Sequence, residues 1–223
     1  MYPLFTIGHS NHSSDQFVDL LLQHNVNALA DVRSAPYSRY LPHFNKPALE
    51  TLLPRQDIRY VFLGAELGAR PEDQNCYVEG KAVYEKIAAT ETFAQGLKRL
   101  LKGLQNYRIA LMCAEKDPLT CHRAILVCQH LVPFNLEIAH IHSSGELEFH
   151  EDLEERLLKA HNLQDPPPAQ QLSLLSFPDA DSNLELSREQ RLHQAYQKQG
   201  DKIAYVEKDV EKDVEKEGEQ DNA

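Results

Sequence analysis

The sequence predicts an α/β fold: a single three-layer domain with a mostly parallel sheet, plus a low-complexity acidic C-terminal tail. Three observations carry this reading. Short apolar runs alternate with amphipathic helical stretches up to about residue 161, the pattern of a parallel sheet with right-handed crossovers. Ionisable residues gather just past these runs, on the sheet edge where α/β folds bind their ligands. The alternation then stops at Asp165, where Pro166-Pro-Pro168 ends the last helix. We therefore divide the chain into an α/β domain over 1–165 and a Pro-rich linker with a largely disordered acidic tail over 166–223.

The chain has 223 residues and a net charge of −11, of which −6 falls on residues 166–223. Such acidity argues against non-specific duplex binding, where phosphate neutralisation dominates affinity. Four cysteines, with no charged segment and long apolar core at the N-terminus, point to a reducing, cytoplasmic location. No apolar run approaches the roughly 18 residues a membrane helix needs.

In order, Leu4–Gly8 reads as the first strand. Ser13 and Gln16 form a capping-box pattern ahead of a helix carrying Phe17, Leu20, Leu21 and His24 at helical spacing. Asn27–Arg33 is a second strand, and Pro47 opens a short helix through about Leu53. Ile58–Leu63 is a third strand. Residues 71–91 carry little pattern beyond a loop and a helix around Ala82–Ala89. Phe93, Leu97, Leu100, Leu101 and Leu104 then make an amphipathic helix.

Arg108–Cys113 is a buried strand broken by Glu115-Lys-Asp-Pro118. Thr120 is placed to cap a helix from His122 to about Val132. Leu136–His142 is a fifth strand, followed by Gly145–Phe149 and a helix through about His161. Ser187–Gln199 reads as a solvated helix, and residues beyond about 178 as largely disordered.

Parallel strands bring their ends to one edge. His9 and Ser10, Asp31 and Arg33, Glu66 and Arg70, and Cys113 and Glu115 should therefore line one cleft, with His140 and His142 in the fifth strand. Cys121, at a helix N-terminus beside His122 and Arg123, should have a stabilised thiolate suited to a nucleophile. His9 is the candidate general base, with Glu115 and Asp31 as further catalytic candidates. Arg33, Arg39 and Arg123 could clamp a phosphate or carboxylate, joined by Ser10, His122, Arg70 and Tyr37 on the binding side.

Residues 33–70 carry +3 in an acidic protein, and Tyr37, Tyr40 and Phe44 are available to stack on a base. Cys113, Cys121 and His122 are metal-ligating types, but their spacing fits no standard zinc pattern, so no metal is assigned. Neither cysteine is followed six residues later by arginine, which argues against phosphatase chemistry. Cofactors are left open. An enzyme acting on an anionic, nucleotide or nucleic-acid related substrate is one reading; a thiol redox sensor is another.

Several motifs occur together in one order: Thr6-Ile-Gly-His-Ser10, Asp31-Val-Arg33 with Pro36 and Ser38, Pro42-x-Phe44, Leu67-Gly68-x-Arg70, Leu111-Met-Cys-Ala-Glu115, Cys121-His-Arg123 and His140-Ile141. Over about residues 3–150 the chain resembles the domain of unknown function 488 family. That resemblance implies the domain and its site residues without naming a reaction. Gly68-Ala69 stands where such relatives often show two glycines.

In the tail, Gln171-Leu172-Ser-Leu174-Leu175 resembles the short motif by which bacterial repair and polymerase proteins dock on the DNA sliding clamp. A flexible segment can offer one amide and two apolar anchors to a groove at low ordering cost. This implies a ligand-binding adaptor as an alternative function, and a role in DNA repair. Changing Gln171 and Leu174 to Ala should abolish binding to purified clamp in a pull-down; a wild-type chain that never binds excludes the motif.

Overall fold

The computed structural model describes residues 2–164 and 186–207. The chain runs β1 (Leu4–Gly8), α1 (Ser14–Gln23), β2 (Ala28–Asp31), α2 (Lys46–Leu52), β3 (Arg59–Phe62) and a one-turn α3 (Gly64–Leu67). A small hairpin of β4 (Tyr77–Val78) and β5 (Lys81–Ala82) follows, then α4 (Tyr84–Ala88), α5 (Glu91–Gly103) and β6 (Ile109–Cys113). A π-helical segment (Arg123–Cys128) leads to β7 (Ile138–Ile141), β8 (Leu147–Phe149), α6 (His150–Ala160) and α7 (Arg188–Ile203).

The main sheet has strand order β3-β2-β6-β1-β7-β8. Its first five strands are parallel, and β8 returns antiparallel to β7. Side chains alternate across it. Phe5, Ile7, Leu29, Ala110 and Met112 join α1 and α2 in one apolar core. Leu4, Ala28, Ala30, Ile109, Leu111 and Cys113 face α5, the π-helical segment, α6 and α7 in the other. Both faces are covered, so β1, β2, β6 and β7 are apolar at nearly every position rather than every second one.

The local signals for α1 hold in detail. Ser13 accepts from the Gln16 N–H, and the Gln16 side chain reaches back to the Ser13 N–H. The helix expected from His122 to Val132 is different. Asp117, rather than Thr120, caps a 3-10 turn by accepting from Leu119 N–H, and the Thr120 hydroxyl donates back to the Asp117 carbonyl. The chain then enters the π-helical segment, where Gln129 N–H donates five residues back to Ala124. A further 3-10 turn covers Val132–Phe134.

The helix expected to be solvated over 187–199 is also corrected. It runs Arg188–Ile203 and buries Ala195, Tyr196, Gln199 and Arg191 against the domain. Gln199 donates to the Leu119 carbonyl and pairs with His161, and Lys81 pairs with Asp201 at 2.6 Å. Residues 205–207 then pair with the small hairpin through Ala82 N–H to the Tyr205 carbonyl and Glu207 N–H to the Gly80 carbonyl. The clamp-like Gln171–Leu175 and the residues past 207 lie outside the described residues.

A buried polar chain crosses this half of the molecule. Arg123 Nε donates to Thr6 Oγ1 at 3.3 Å. Thr6 Oγ1 is 2.7 Å from His140 Nδ1, His140 Nε2 is 3.0 Å from His150 Nδ1, and His150 Nε2 is 2.9 Å from the Tyr196 hydroxyl. Tyr196 donates to Glu154. Tyr196 spends its one proton there, so it accepts from His150 Nε2. With neutral rings the chain then runs back through His140 Nε2 to a proton given by Thr6, leaving hydrogen on Nε2 of both histidines.

Burial enforces the same state. It pushes His150 from 6.5 down to about 4, and holds His140 well below its usual range with help from His150 and Arg123. The unfolded chain thus binds more protons than the native one between about pH 6.5 and 4. For His150 the full shift corresponds to about 3 kcal/mol. The melting temperature should therefore hold steady from pH 8 to 7 and fall steeply from about 6.5 to 4, and H150Q should flatten that fall in a calorimetric pH series.

Candidate functional site

The strand order creates the site. The connection leaving β2 runs outward to β3, and the one leaving β6 runs the opposite way, past β1 to β7. Adjacent strands whose connections diverge open a crevice at their C-terminal ends. Val32 and Arg33 stand on one lip of this crevice and Cys113 to Glu115 on the other. His122 ties the lips together by donating from Nε2 to the Val32 carbonyl at 2.9 Å.

On the β2 side lies an ion-paired cluster. Arg33 donates through Nε and Nη2 to both oxygens of Asp31, at 2.9 and 2.6 Å, and Nη2 also reaches the Phe44 carbonyl. Tyr60 donates to Asp31 at 2.8 Å. His9 stacks on Phe44, donates from Nδ1 to the Ser10 carbonyl and accepts from Arg33 through Nε2 at 3.3 Å. Burial pushes His9 down to about 4, so it stays neutral. Phe44 is fully buried here, so it is not available to stack on a base as the sequence suggested.

On the β6 side four ligating atoms converge. Cys113 Sγ lies 2.9 Å and Cys121 Sγ 3.1 Å from the same oxygen, Oε2 of Glu115. His122 Nδ1 is 3.5 Å from Cys113 Sγ. All four residues place one ligand atom within 4.8 Å of the others. Both cysteines and His122 are buried, whereas Glu115 is exposed at the mouth with its Oε2 turned inward.

The charges in this cluster are unevenly placed. Burial and the Cys121 sulfur hold the Cys113 thiol well above its usual range. Burial, then Cys121, also raises the Glu115 carboxyl. For Cys121 burial acts the same way, but the Cys113 thiol, the Arg123 guanidinium and His122 outweigh it and draw its thiol well below the usual range. The Arg123 N–H also points at that sulfur, 3.5 Å away. The two thiols are thus pushed in opposite directions, and Cys121 is the one that gives up its proton more readily.

Arg123 is fully buried, and its remaining donors go to the Glu115 and Lys116 carbonyls at 2.7 and 3.2 Å. It fixes the loop that carries Glu115. That loop also crosses Gly8 so closely that a Cβ there would lie 1.9 Å from the Glu115 carbonyl oxygen. Only glycine permits this approach.

Above the cluster is a cleft of about 290 Å³ lined by Arg33, Tyr37, Arg70, Cys113, Glu115 and His122 and closed on one side by Tyr205. Arg70 lays its guanidinium over the Tyr205 ring at 4.2 Å. Among the described residues no carboxylate forms an ion pair with it. A larger hollow of about 370 Å³ beside α4 and α7 gathers no comparable cluster.

The strand-end residues thus separate. Arg33, Arg70, Tyr37, Glu115 and His122 line the cleft, and Cys121 and Arg123 lie behind its floor. His9 and Asp31 hold Arg33 from below, and Ser10 bonds Asn11. Glu66 pairs with Arg99, and His142 with Glu148, away from the cleft. Sequence reasoning missed Tyr205, because it sits in a segment read as tail, and missed the relay through His150 and Tyr196.

Comparison with known proteins gives one finding. A family model described as Domain of unknown function DUF488 matches residues 13–129, a span that holds Asp31, Arg33, Arg70 and the cluster from Cys113 to Arg123. His140, His150 and α7 lie beyond it. No curated protein and no solved structure matches the chain.

The contact at Gly8 yields a direct check. G8A must displace the Glu115 loop, an overpacking cost of about 1–3 kcal/mol. Urea denaturation should show that loss.

Proposed function

The chain belongs to the domain of unknown function 488 family, and within the span it shares with that family we propose that the cleft is the active site of an enzyme acting on a small anionic substrate of nucleotide type. The observation that carries this reading is Arg70, an exposed guanidinium that lines the cleft over Glu115 and His122. Tyr205 holds it by its π-face and leaves its N–H edge available for a planar, bidentate grip on phosphate or carboxylate.

The roles divide by exposure. Arg70 anchors the anion, and Tyr37, exposed at the rim, offers a ring for stacking. Glu115, whose carboxyl is raised by burial and by Cys121, is the group placed to exchange protons with the substrate. Cys121 sits behind Glu115 and reaches substrate only if the Glu115 loop moves. Arg33 gives most of its donors to Asp31 and Phe44, so it contributes charge and shape to the floor. Arg123 positions the Glu115 loop.

A cleft of this volume suits a mononucleotide or something smaller rather than a duplex. A place in DNA repair would then come from the tail motif at Gln171–Leu175, with the cleft handling a small fragment or nucleotide.

The test is binding of inorganic phosphate and of nucleoside mono- and diphosphates by calorimetry, at low salt. Wild type should bind at least one of them, and R70A should weaken that binding tenfold or more, which corresponds to about 1.4 kcal/mol. Absence of binding to every member at millimolar concentration, or equal binding by R70A, rules the reading out.

A further inference from the structure

We infer that Cys113, Cys121, His122 and Glu115 form a binding site for one zinc-type transition-metal ion, with Glu115 as the exchangeable ligand facing the cleft. This deepens the reading of the cleft given above, but stands on the floor's own geometry.

Four-coordinate zinc takes thiolates at about 2.3 Å and imidazole or carboxylate at about 2.0–2.1 Å. Tetrahedral placement then separates the ligand atoms by roughly 3.3–3.8 Å. Three of the separations here are 2.9, 3.1 and 3.5 Å, and none exceeds 4.8 Å. Rotamer adjustments of under about 1 Å would complete the shell, with no strand or helix having to move.

Three further features fit a metal better than a purely structural hydrogen-bond cluster. First, His122 donates Nε2–H to the Val32 carbonyl. That bond orients the ring with Nδ1 towards the Cys113 sulfur, as the outer partners of metal-bound histidines do.

Second, the donors belong to a rigid frame. Cys113 ends a central strand, Cys121 and His122 open the π-helical segment, and Arg123 pins the Glu115 loop. Third, two buried thiols and the Glu115 carboxylate converge at one locus, with the Arg123 and Arg33 guanidinium groups as neighbouring cations. A divalent cation bound there replaces their protons and removes the repulsion between them.

The donor set also selects the ion. Two thiolates and an imidazole favour zinc, iron or cobalt and disfavour magnesium and calcium, which take oxygen ligands. The only exposed ligand is Glu115, and it faces the cavity. Displacing its carboxylate would open a coordination position towards a bound anion while two sulfurs and one nitrogen keep the ion. The sequence spacing hides this site, since Cys113 and Glu115 come from a strand end and the other pair from the following helical segment.

The experiment uses the full-length chain, reduced and reconstituted with zinc or cobalt, with no anion added. Wild type should retain close to one zinc per chain after gel filtration. Cobalt should give thiolate-to-metal charge-transfer absorption, and X-ray absorption at the zinc edge should show two sulfurs with two nitrogen or oxygen neighbours. C113S and C121S should retain less than about a tenth of wild-type zinc, and E115Q should bind it with affinity about tenfold weaker, close to the lower bound for altering one supporting group. R70A should load fully.

Less than about a tenth of a zinc per wild-type chain, or a zinc shell lacking sulfur, overturns the site regardless of how the cysteine variants fold. Full loading together with no anion binding by wild type leaves the metal site standing and removes the substrate reading. Anion binding without metal removes the site alone.

Discussion

Arg123 is a permanent cation with no exposure to water, and both the core and the cleft are arranged around keeping it satisfied. Burying such a charge is strongly unfavourable unless every donor is met and negative charge stands close by. The donors reach Thr6 and the Glu115 and Lys116 carbonyls, and Cys121, whose thiol the guanidinium helps draw well below its usual range, lies two residues away. The same guanidinium donates to Thr6, where the buried hydrogen-bond chain through His140, His150 and Tyr196 to Glu154 begins. One side chain thus touches both the cluster and the polar chain that runs into α6 and α7.

The sheet order explains why this coupling sits where it does. With β6 inserted between β2 and β1, the loops after β2 and β6 leave in opposite directions and open a crevice between them. Two polar clusters occupy its two lips, and each is nearly self-sufficient: Asp31, Arg33, His9 and Tyr60 on one, Cys113, Glu115, Cys121 and His122 on the other. The bond from His122 to the Val32 carbonyl and the one from His9 N–H to the Cys113 carbonyl join them. Tyr205 then covers the opening from the far end of the chain, held by the β5 pairing at Ala82. The cleft is therefore built from residues spread over almost the whole described chain.

Strands and the better amphipathic helices were legible because burial on both faces leaves a continuous apolar mark, as in Ile109–Cys113, and because Ser13 with Gln16 is a local signal with a local cause. The site was legible as a place for the same reason: strand ends in a parallel sheet share an edge. Roles were harder. Arg123 and Arg33 read as anion clamps from residue type, yet most of their donors are spent on Asp31 and on backbone carbonyls, whereas Arg70 lines the cleft with no ion pair among the described residues.

Apolar spacing in Ala124–Leu131 fits α- and π-helical turns equally, so the extra residue per turn left no trace in the sequence. The last helix was misread because its buried face includes Arg191 and Gln199, polar types that ordinarily mark a solvated surface. A ligand set split between a strand end and a helix start has no diagnostic spacing at all.

Charge offers a last constraint on what enters the cleft. A chain of net charge −11 repels a polyanion at long range, and only within about a Debye length, roughly 10 Å at 0.1 M salt, does a local cation outweigh that field. Arg70 and Arg33 are such local cations, and the Glu115 carboxyl beside them limits how much further negative charge the floor accepts. A small anion can place one charged group on Arg70 and keep the rest of itself neutral or solvated at the rim beside Tyr37. A duplex spreads its phosphates well beyond the reach of Arg70 and Arg33. Under the proposed function, size and field therefore favour the same kind of substrate, one whose charge is concentrated at one end.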